Sequence, residues 1–296
     1  MGDTILLTGG SGFLGRHLLK RMLHEGYQVV LLKRSFSRTE SITEELARVA
    51  SYDVDRGDWK RLFDEHRIDL IVHCATNYGR RNESAASVVE ANLILPLQLI
   101  QLGKEHAVRG FINSDTILDK RISHYSLSKH QFLEWFDYFA DAMACVNVAL
   151  EHFYGPFDDP SKFVTWVIRA MLGEVDSLDF TPGDQKREFV YIDDVVSAFM
   201  YVVQFALGQQ RGTYRFEVGA SEKFELKQLV QMIRRITGNV RTALKFGALP
   251  YRPHEVMEPT TNSAALEALG WKACVPLEDG LTRTIMQERR AMEFKQ

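Results

Sequence analysis

The sequence predicts an α/β protein built on a doubly wound parallel sheet, followed by a smaller mixed α/β lobe. Short, continuous apolar runs alternate with longer amphipathic stretches through the first half, and a glycine-rich turn joins the first run to the first helix. The rhythm changes near Gly155, beyond which Gly and Pro punctuate the chain and helices no longer alternate regularly with strands.

Thr4–Leu7 reads as the first strand, and Leu14–Leu23 as a helix that stops at Gly26. Gln28–Leu32 is the second apolar run, followed by a polar helical stretch through Glu44–Arg48. Asp69–His73, Gly110–Ile112 and Val146–Leu150 repeat the strand pattern. Runs that are apolar throughout, rather than alternating, suit strands covered by helices on both faces. This organisation assigns residues 1–154 to the sheet domain and 155–296 mainly to a substrate lobe, with the last strands of the sheet intercalated. Within the lobe, Asp193–Ala206, Leu226–Gly238 and Leu277–Met292 read as helices and Gly212–Val218 as a strand. No low-complexity linker or fixed-period repeat interrupts it.

A chain of 296 residues that is 45% hydrophobic and 25% charged is neither disordered nor fibrous. Its 36 Lys+Arg against 39 Asp+Glu give a net charge of −3, too balanced for gripping nucleic acid or an anionic membrane. Three cysteines, Cys74, Cys145 and Cys274, form no CxxC and read as thiols in a reducing compartment. No apolar run reaches the roughly 18 to 20 residues of a membrane helix, and no basic segment precedes the first strand. A cytoplasmic protein without membrane or nucleic-acid partners is expected. The nine histidines show no HExxH or other ligand spacing, so no metal is expected.

The first strand runs into Thr8-Gly9-Gly10-Ser11-Gly12-Phe13-Leu14-Gly15. Glycines at 9, 12 and 15 permit a tight turn, backbone approach to a pyrophosphate and close helix–strand packing; the helix N-terminus then offers unpaired N–H groups to the phosphates. Any tight strand-to-helix turn can carry such a triplet, but the strand before it and helix after it supply the context of a Rossmann-type dinucleotide site. An NAD-binding unit usually ends its second strand in Asp or Glu, which accepts hydrogen bonds from the ribose 2′-OH. Here Lys33, Arg34 and Ser35 stand there, donors suited to a 2′-phosphate. NADP(H) is therefore expected over NAD(H), the alternative being a solvated basic loop.

Tyr125-Ser126-Leu127-Ser128-Lys129 opens a helix that continues through Phe132, Trp135 and Phe139. The i, i+4 spacing puts Tyr125 and Lys129 on one face. An ammonium there stabilises phenolate and lowers the Tyr pKa from its ordinary value near 10, as acid–base chemistry at neutral pH requires.

Together these motifs resemble the extended short-chain dehydrogenase/reductase family, in its NAD-dependent epimerase/dehydratase branch. The resemblance spans nearly the whole chain, through Thr8–Gly15, His73-Cys74-Ala75-Thr76, Asn92, Tyr125/Lys129, Tyr154-Gly155-Pro156, Arg187–Val195 and Leu269-Gly270-Trp271. It implies that Tyr125 is the catalytic acid/base, that Lys129 binds the nicotinamide ribose, and that Thr116 hydrogen-bonds the reacting sugar oxygen, with Ser114 as the fallback. It places the cofactor against Gly9, Ser11, Gly12, Phe13, Leu14 and Gly15, then Asp53, Cys74, Ala75, Thr76, Asn92 and Phe153. Asp55 is an alternative to Asp53 at the adenine. By the resemblance Arg187 meets the nucleotide diphosphate; Arg252 is a second phosphate candidate and Glu255 a candidate for the nucleotide ribose, while Tyr78 and Arg80, which follow the fourth strand at the carboxyl edge of the sheet, are candidate sugar contacts, as is His152. His152 is equally readable as a packed histidine, and it stands where the family often has Asn. Ala149 replaces the usual upstream Arg.

Family dehydratases place an Asp-Glu pair directly after the catalytic hydroxyl, whereas this chain has Ile117 and Leu118, which cannot perform elimination. The basic loop favours a reductase over an epimerase with tightly bound NAD. The stretch from Asn113 to Lys129 is similar to the 4-ketoreductases that finish CDP-3,6-dideoxyhexoses such as paratose and abequose. The resemblance also implies a homodimer. A non-catalytic redox sensor or scaffold is the alternative from another class, although such relatives usually lose the Tyr/Lys pair retained here.

Overall fold

The computed structural model describes residues 2–220, 222–253 and 255–293. The elements up to Leu150 are β1 (Thr4–Thr8), α1 (Phe13–His24), β2 (Gln28–Lys33), α2 (Thr43–Leu46), β3 (Ala50–Asp53), α3 (Leu62–Glu65), β4 (Leu70–His73), α4 (Ala85–Val89), α5 (Leu95–Glu105), β5 (Gly110–Thr116), α6 (His124–Leu133), α7 (Phe136–Phe139) and β6 (Ala144–Leu150). There follow β7 (His152–Tyr154), α8 (Phe163–Leu172), β8 (Ser177–Phe180), β9 (Lys186–Tyr191), α9 (Ile192–Gly208), β10 (Gly212–Val218), β11 (Lys223–Glu225), α10 (Leu226–Thr237), β12 (Ala243–Phe246), α11 (Ala264–Ala268) and α12 (Leu277–Glu293). They form two compact units. The first holds residues 1–150, 196–217 and 263–271; the second holds 151–195, 218–262 and 272–296.

The first unit is a seven-stranded sheet in the order β10-β6-β5-β4-β1-β2-β3. The pairings from β3 through β6 are parallel. This is the Rossmann-type doubly wound arrangement, whose strand order reverses between β1 and β4, the place where such sheets bind ligands at their carboxyl ends. Ile5, Leu6 and Leu7 of β1 and Leu70, Ile71 and Val72 of β4 are all fully buried, which explains why these strands read as unbroken apolar runs. Over one face Phe111 packs against Phe132 (5.7 Å between ring centroids), and Phe132 against Phe136 (5.4 Å).

Two helical segments differ from the sequence expectation. The helix opening at Tyr125 stops at Leu133 instead of running to Phe139, because Trp135 donates to Phe132 in an i→i−3 bond that tightens the last turn. Ala85–Glu105 forms a 21-residue helical run of mean hydropathy 1.4, long and apolar enough by length and composition to cross a membrane. No run of that kind was expected. Val88, Asn92, Leu99 and Ile100 on this run are nevertheless buried within the protein.

The second unit contains a three-stranded sheet, β11-β9-β7, and a two-stranded one, β12-β8. Helices α10 and α12 fall close to the expected spans, whereas α8 was not expected, and neither were the unit's strands. Most have three or four residues, too few to display a period. Helix α12 meets Tyr154 at Gly280, where a Cβ would lie 2.2 Å from the phenol oxygen. Tyr154 in turn donates to the Leu277 carbonyl at 3.1 Å.

Candidate active site

The turn between β1 and α1 is closed by its glycines. Gly12 N donates to Gly9 O at 2.8 Å, and Gly9 has φ +71, the left-handed conformation that suits glycine. A Cβ on Gly9 would lie 2.6 Å from Ala75 N, so the loop seats directly against the end of β4. Gly12 is the exposed N-cap of α1, without a side-chain cap, and no acidic residue stands in the first turn. The donors at this helix end are thus open to an anion, and the turn fits a dinucleotide pyrophosphate. Ser11 and Phe13 flank it half-buried, and Leu14 is buried, which leaves only its backbone to offer.

Thr8 ties the loop to β4. Its hydroxyl accepts from Cys74 N (3.2 Å) and Ala75 N (3.1 Å) and lies 2.9 Å from His73 Nδ1. With both lone pairs taken by the amides, the hydroxyl donates to Nδ1, which puts the ring proton on Nε2. Burial, aided by Lys129, holds the His73 pKa well below its ordinary value, so the ring is neutral. Burial also pushes the Cys74 thiol up to about 12.

At the end of β2 the structure redistributes the basic loop. Lys33 lies opposite Asp53 in register and pairs with it at 2.5 Å. Ser35 donates through N and Oγ to Asp55, at 2.7 and 2.8 Å, and these bonds hold that carboxyl below its usual range. Arg34 is exposed and lays its guanidinium over Phe36, 4.8 Å from the ring centroid. Three donors were expected to share a 2′-phosphate; two of them already serve carboxylates.

Strand β5 delivers Ser114, Asp115 and Thr116, and α6 delivers Tyr125 and Lys129. Ser123 caps α6 in a reciprocal box with Ser126, which fixes the start of the helix and lets a short connection carry Tyr125 to Thr116. The Thr116 hydroxyl hydrogen-bonds the Tyr125 phenol and also accepts from Leu118 N at 3.2 Å. Tyr78 lies against Tyr125 with ring centroids 4.9 Å apart, and the Arg80 guanidinium lies 4.9 Å from the Tyr78 ring centroid on the loop after β4. Tyr78 and Arg80 were expected at the sugar; the structure brings them to the acid–base tyrosine.

The expected direction of the Tyr125 shift is reversed. Burial, followed by Tyr78 and Asp115, raises its pKa well above the ordinary value, while Thr116 and Arg80 pull only partly the other way. Lys129, 1% exposed, donates to the Ser114 carbonyl at 2.9 Å, and burial lowers its pKa to about 8. At neutral pH Tyr125 is a phenol and Lys129, one helical turn further on, is an ammonium.

Asn92 is a second correction. It was placed against the cofactor, yet it is fully buried in the π-helical turn Glu90–Ile94 between α4 and α5. Its Nδ2 donates to the Asn77 carbonyl (2.8 Å) and to Ser128 Oγ (3.1 Å), and its Oδ1 accepts from Asn77 N (2.8 Å). Ser128 Oγ passes the chain on to the Tyr125 carbonyl at 2.9 Å. Asn92 therefore clamps the Tyr78 loop to the helix of Tyr125. Asn92→Ala strands several buried polar groups and is expected to lower stability by about 2–3 kcal/mol, read as an earlier urea midpoint. An unmoved midpoint would show the clamp to be idle.

In the second unit Arg187, 8% exposed, forms an ion pair with Glu255 and donates to the Lys186 carbonyl at 2.6 Å. The two residues assigned to phosphate and ribose thus neutralise one another. Arg252 is exposed, and its carbonyl accepts from Glu255 N at 3.1 Å. His152 Nδ1 lies 3.0 Å from Glu151 Oε1. That buried carboxylate was missed in the sequence because it directly follows the end of an apolar strand. Phe153 carries the Lys162 ammonium 4.3 Å from its ring centroid. Thr76 is half-buried beyond Ala75. Among the described residues no group of three or more His, Cys, Asp or Glu side chains could hold a metal ion.

Known proteins match this arrangement along the chain. The chain is 32% identical over 290 residues to CDP-abequose synthase of Salmonella muenchen, covering 95% of this chain and 96% of that one. It is 30% identical over 292 residues to CDP-abequose synthase of Salmonella typhimurium, covering 94% and 96%. Among solved structures, UDP-glucose 4-epimerase of Thermotoga maritima with UDP-glucose superposes with a TM-score of 0.84 at 24% identity, over 98% of this chain and 99% of that one. The Thermus thermophilus UDP-glucose 4-epimerase with NAD gives 0.82 at 21%, over 97% and 99%. The two superpositions establish the fold. The model of the NAD-dependent epimerase/dehydratase family matches residues 5–219, and with the glycine turn, the Tyr125/Lys129 pair and the doubly wound sheet all in place, the chain belongs to that family.

Proposed function

We propose that the chain reduces the C4 ketone of a nucleotide-linked deoxysugar, with CDP as the nucleotide and NADPH as the reductant. The observation that carries this reading is the convergence of the Tyr125 phenol, the Thr116 hydroxyl and Lys129 at the end of β5, a proton donor and a hydrogen-bonding hydroxyl of the kind a ketone reduction needs at its oxygen. The likeness to two CDP-abequose synthases over nearly the full chain supports the same substrate class.

The glycine turn, Arg34 and Asp53 would hold the dinucleotide, whose nicotinamide supplies a hydride to carbon C4 when bound. Tyr125 Oη then gives its proton to the developing alkoxide, so the ketone gains one hydride and one proton and leaves as an alcohol. Thr116 steadies the same oxygen by hydrogen bonding. Ile117 and Leu118 offer neither acid nor base, so the elimination of a family dehydratase lacks its groups. Arg187 and Arg252 are assigned to the diphosphate, Glu255 to the nucleotide ribose and His152 to the sugar.

A second reading, an epimerase with tightly held NAD, gains support from the engagement of Lys33 and Ser35 by Asp53 and Asp55. The purified chain is to be mixed with CDP-4-keto-3,6-dideoxyhexose and NADPH or NADH while cofactor absorbance is followed. Faster loss of signal with NADPH is expected, and Arg34→Gln is expected to reduce that preference by about tenfold, the worth of one charge-assisted contact. No oxidation, with NAD released on denaturation, would move the epimerase to first place. A cofactor that binds but never turns over would favour the sensor or scaffold.

A further inference from the structure

A buried ammonium is tolerated only where acceptors or opposite charge offset its lost hydration. Lys129 has one described hydrogen bond, to the Ser114 carbonyl at 2.9 Å, and no described ion pair. The residue that follows that carbonyl is Asp115, itself 4% exposed. Its Oδ2 accepts from Asn147 Nδ2 at 2.9 Å, and Asn147 Oδ1 accepts from Asn113 Nδ2 at 2.9 Å. Asp115 Oδ1 is buried without a hydrogen-bond partner. A carboxylate left half-unbonded in the sheet interior is costly unless a positive charge lies close by. The Lys129 ammonium docks on the preceding peptide unit, within coulombic reach of Asp115.

We propose that Asp115 is a positioning residue, the buried counter-charge that keeps Lys129 an ammonium and Tyr125 a phenol, with Asn147 and Asn113 as the ladder that fixes its carboxylate. The inference rests on the reading of Tyr125 and Lys129 as the acid–base pair. The titratable and charged groups acting on them are His73 and Cys74 at the end of β4, Tyr78 and Arg80 on the loop after it, and Asp115 on β5. Asp115 is the sole carboxylate of that set, and it raises both pKa values. Removing its charge therefore lowers both. A reaction that needs ammonium and phenol together then fails at a lower pH, so the alkaline limb of activity moves toward acid.

The experiment titrates the ligand-free chain labelled with [13Cε]lysine by NMR, with the Lys129 signal identified by its loss in Lys129→Met. The wild-type midpoint is expected near 8. In Asp115→Asn, which keeps the size and the bond from Asn147, it is expected to fall by about one unit, a tenfold weaker hold on the proton. Asp115→Glu is expected to recover part of the shift. Asp115→Ser gives the same result as Asp115→Asn, should the latter not fold. A midpoint still near 8 in the neutral variants overturns the proposal. Because the titration uses neither cofactor nor substrate, it stands apart from the functional reading. An active Tyr125→Phe enzyme would sink the acid–base assignment and leave the titration intact.

Discussion

Tyr125→Phe is expected to slow NADPH-dependent reduction of the nucleotide-linked ketosugar by about 10²–10⁴-fold, the usual worth of a positioned general acid. The substitution deletes one oxygen and leaves the ring against Tyr78, while Thr116 still accepts from Leu118 N. Fold and cofactor affinity should therefore survive, and the loss should appear in the chemical step of single-turnover measurements. The wild-type pH profile adds a signature. The raised Tyr125 pKa keeps the phenol protonated through neutrality, so the first alkaline decline is expected as pH rises through about 8, where Lys129 loses its charge. A Phe variant that keeps a tenth of the rate or more would reassign the proton donor.

Gly15→Ala carries the largest expected effect on stability. Its Cβ would lie 2.1 Å from the Gly9 oxygen, 2.6 Å from the Gly9 carbonyl carbon and 2.8 Å from Gly10 Cα. All three are backbone atoms of the turn, so relief requires reopening it. About 3 kcal/mol or more of destabilisation is expected, at the upper end of overpacking effects, together with loss of the thermal stabilisation NADPH gives. Gly12→Ala is the internal control. There a Cβ meets only the Gly9 oxygen, at 3.1 Å, and a small change is expected. Equal melting temperatures for the two variants would mean that the turn is looser than its geometry.

The glycine turn and the Tyr125/Lys129 spacing were legible in the sequence because their physics is local. Glycines at 9, 12 and 15 constrain one continuous backbone, and an i, i+4 pair meets on any helix. The misreadings lie where strands bring distant residues together. Lys33 looked available until the parallel register set Asp53 beside it. The Tyr125 shift depends on Tyr78 and Asp115, which arrive from a different loop and strand, so the neighbouring lysine gave the wrong sign. Asn92 was expected at the cofactor, but polarity alone does not tell whether an amide on a helix serves a ligand or a π-turn clamp.

The position of β10 has a consequence for how the protein is made. The sheet order puts β10 beyond β6, although β6 ends at Leu150 and β10 begins only at Gly212. Every residue of β6 is buried in the finished sheet. During synthesis its outer backbone edge must wait, apolar and unpaired, while the ribosome adds the first stretch of the second unit. Such an edge is a template for pairing with another chain, and late closure of a distant strand is slow. The nascent chain is therefore open to edge-to-edge pairing throughout that interval. A fragment ending near residue 150 would keep that exposed edge permanently.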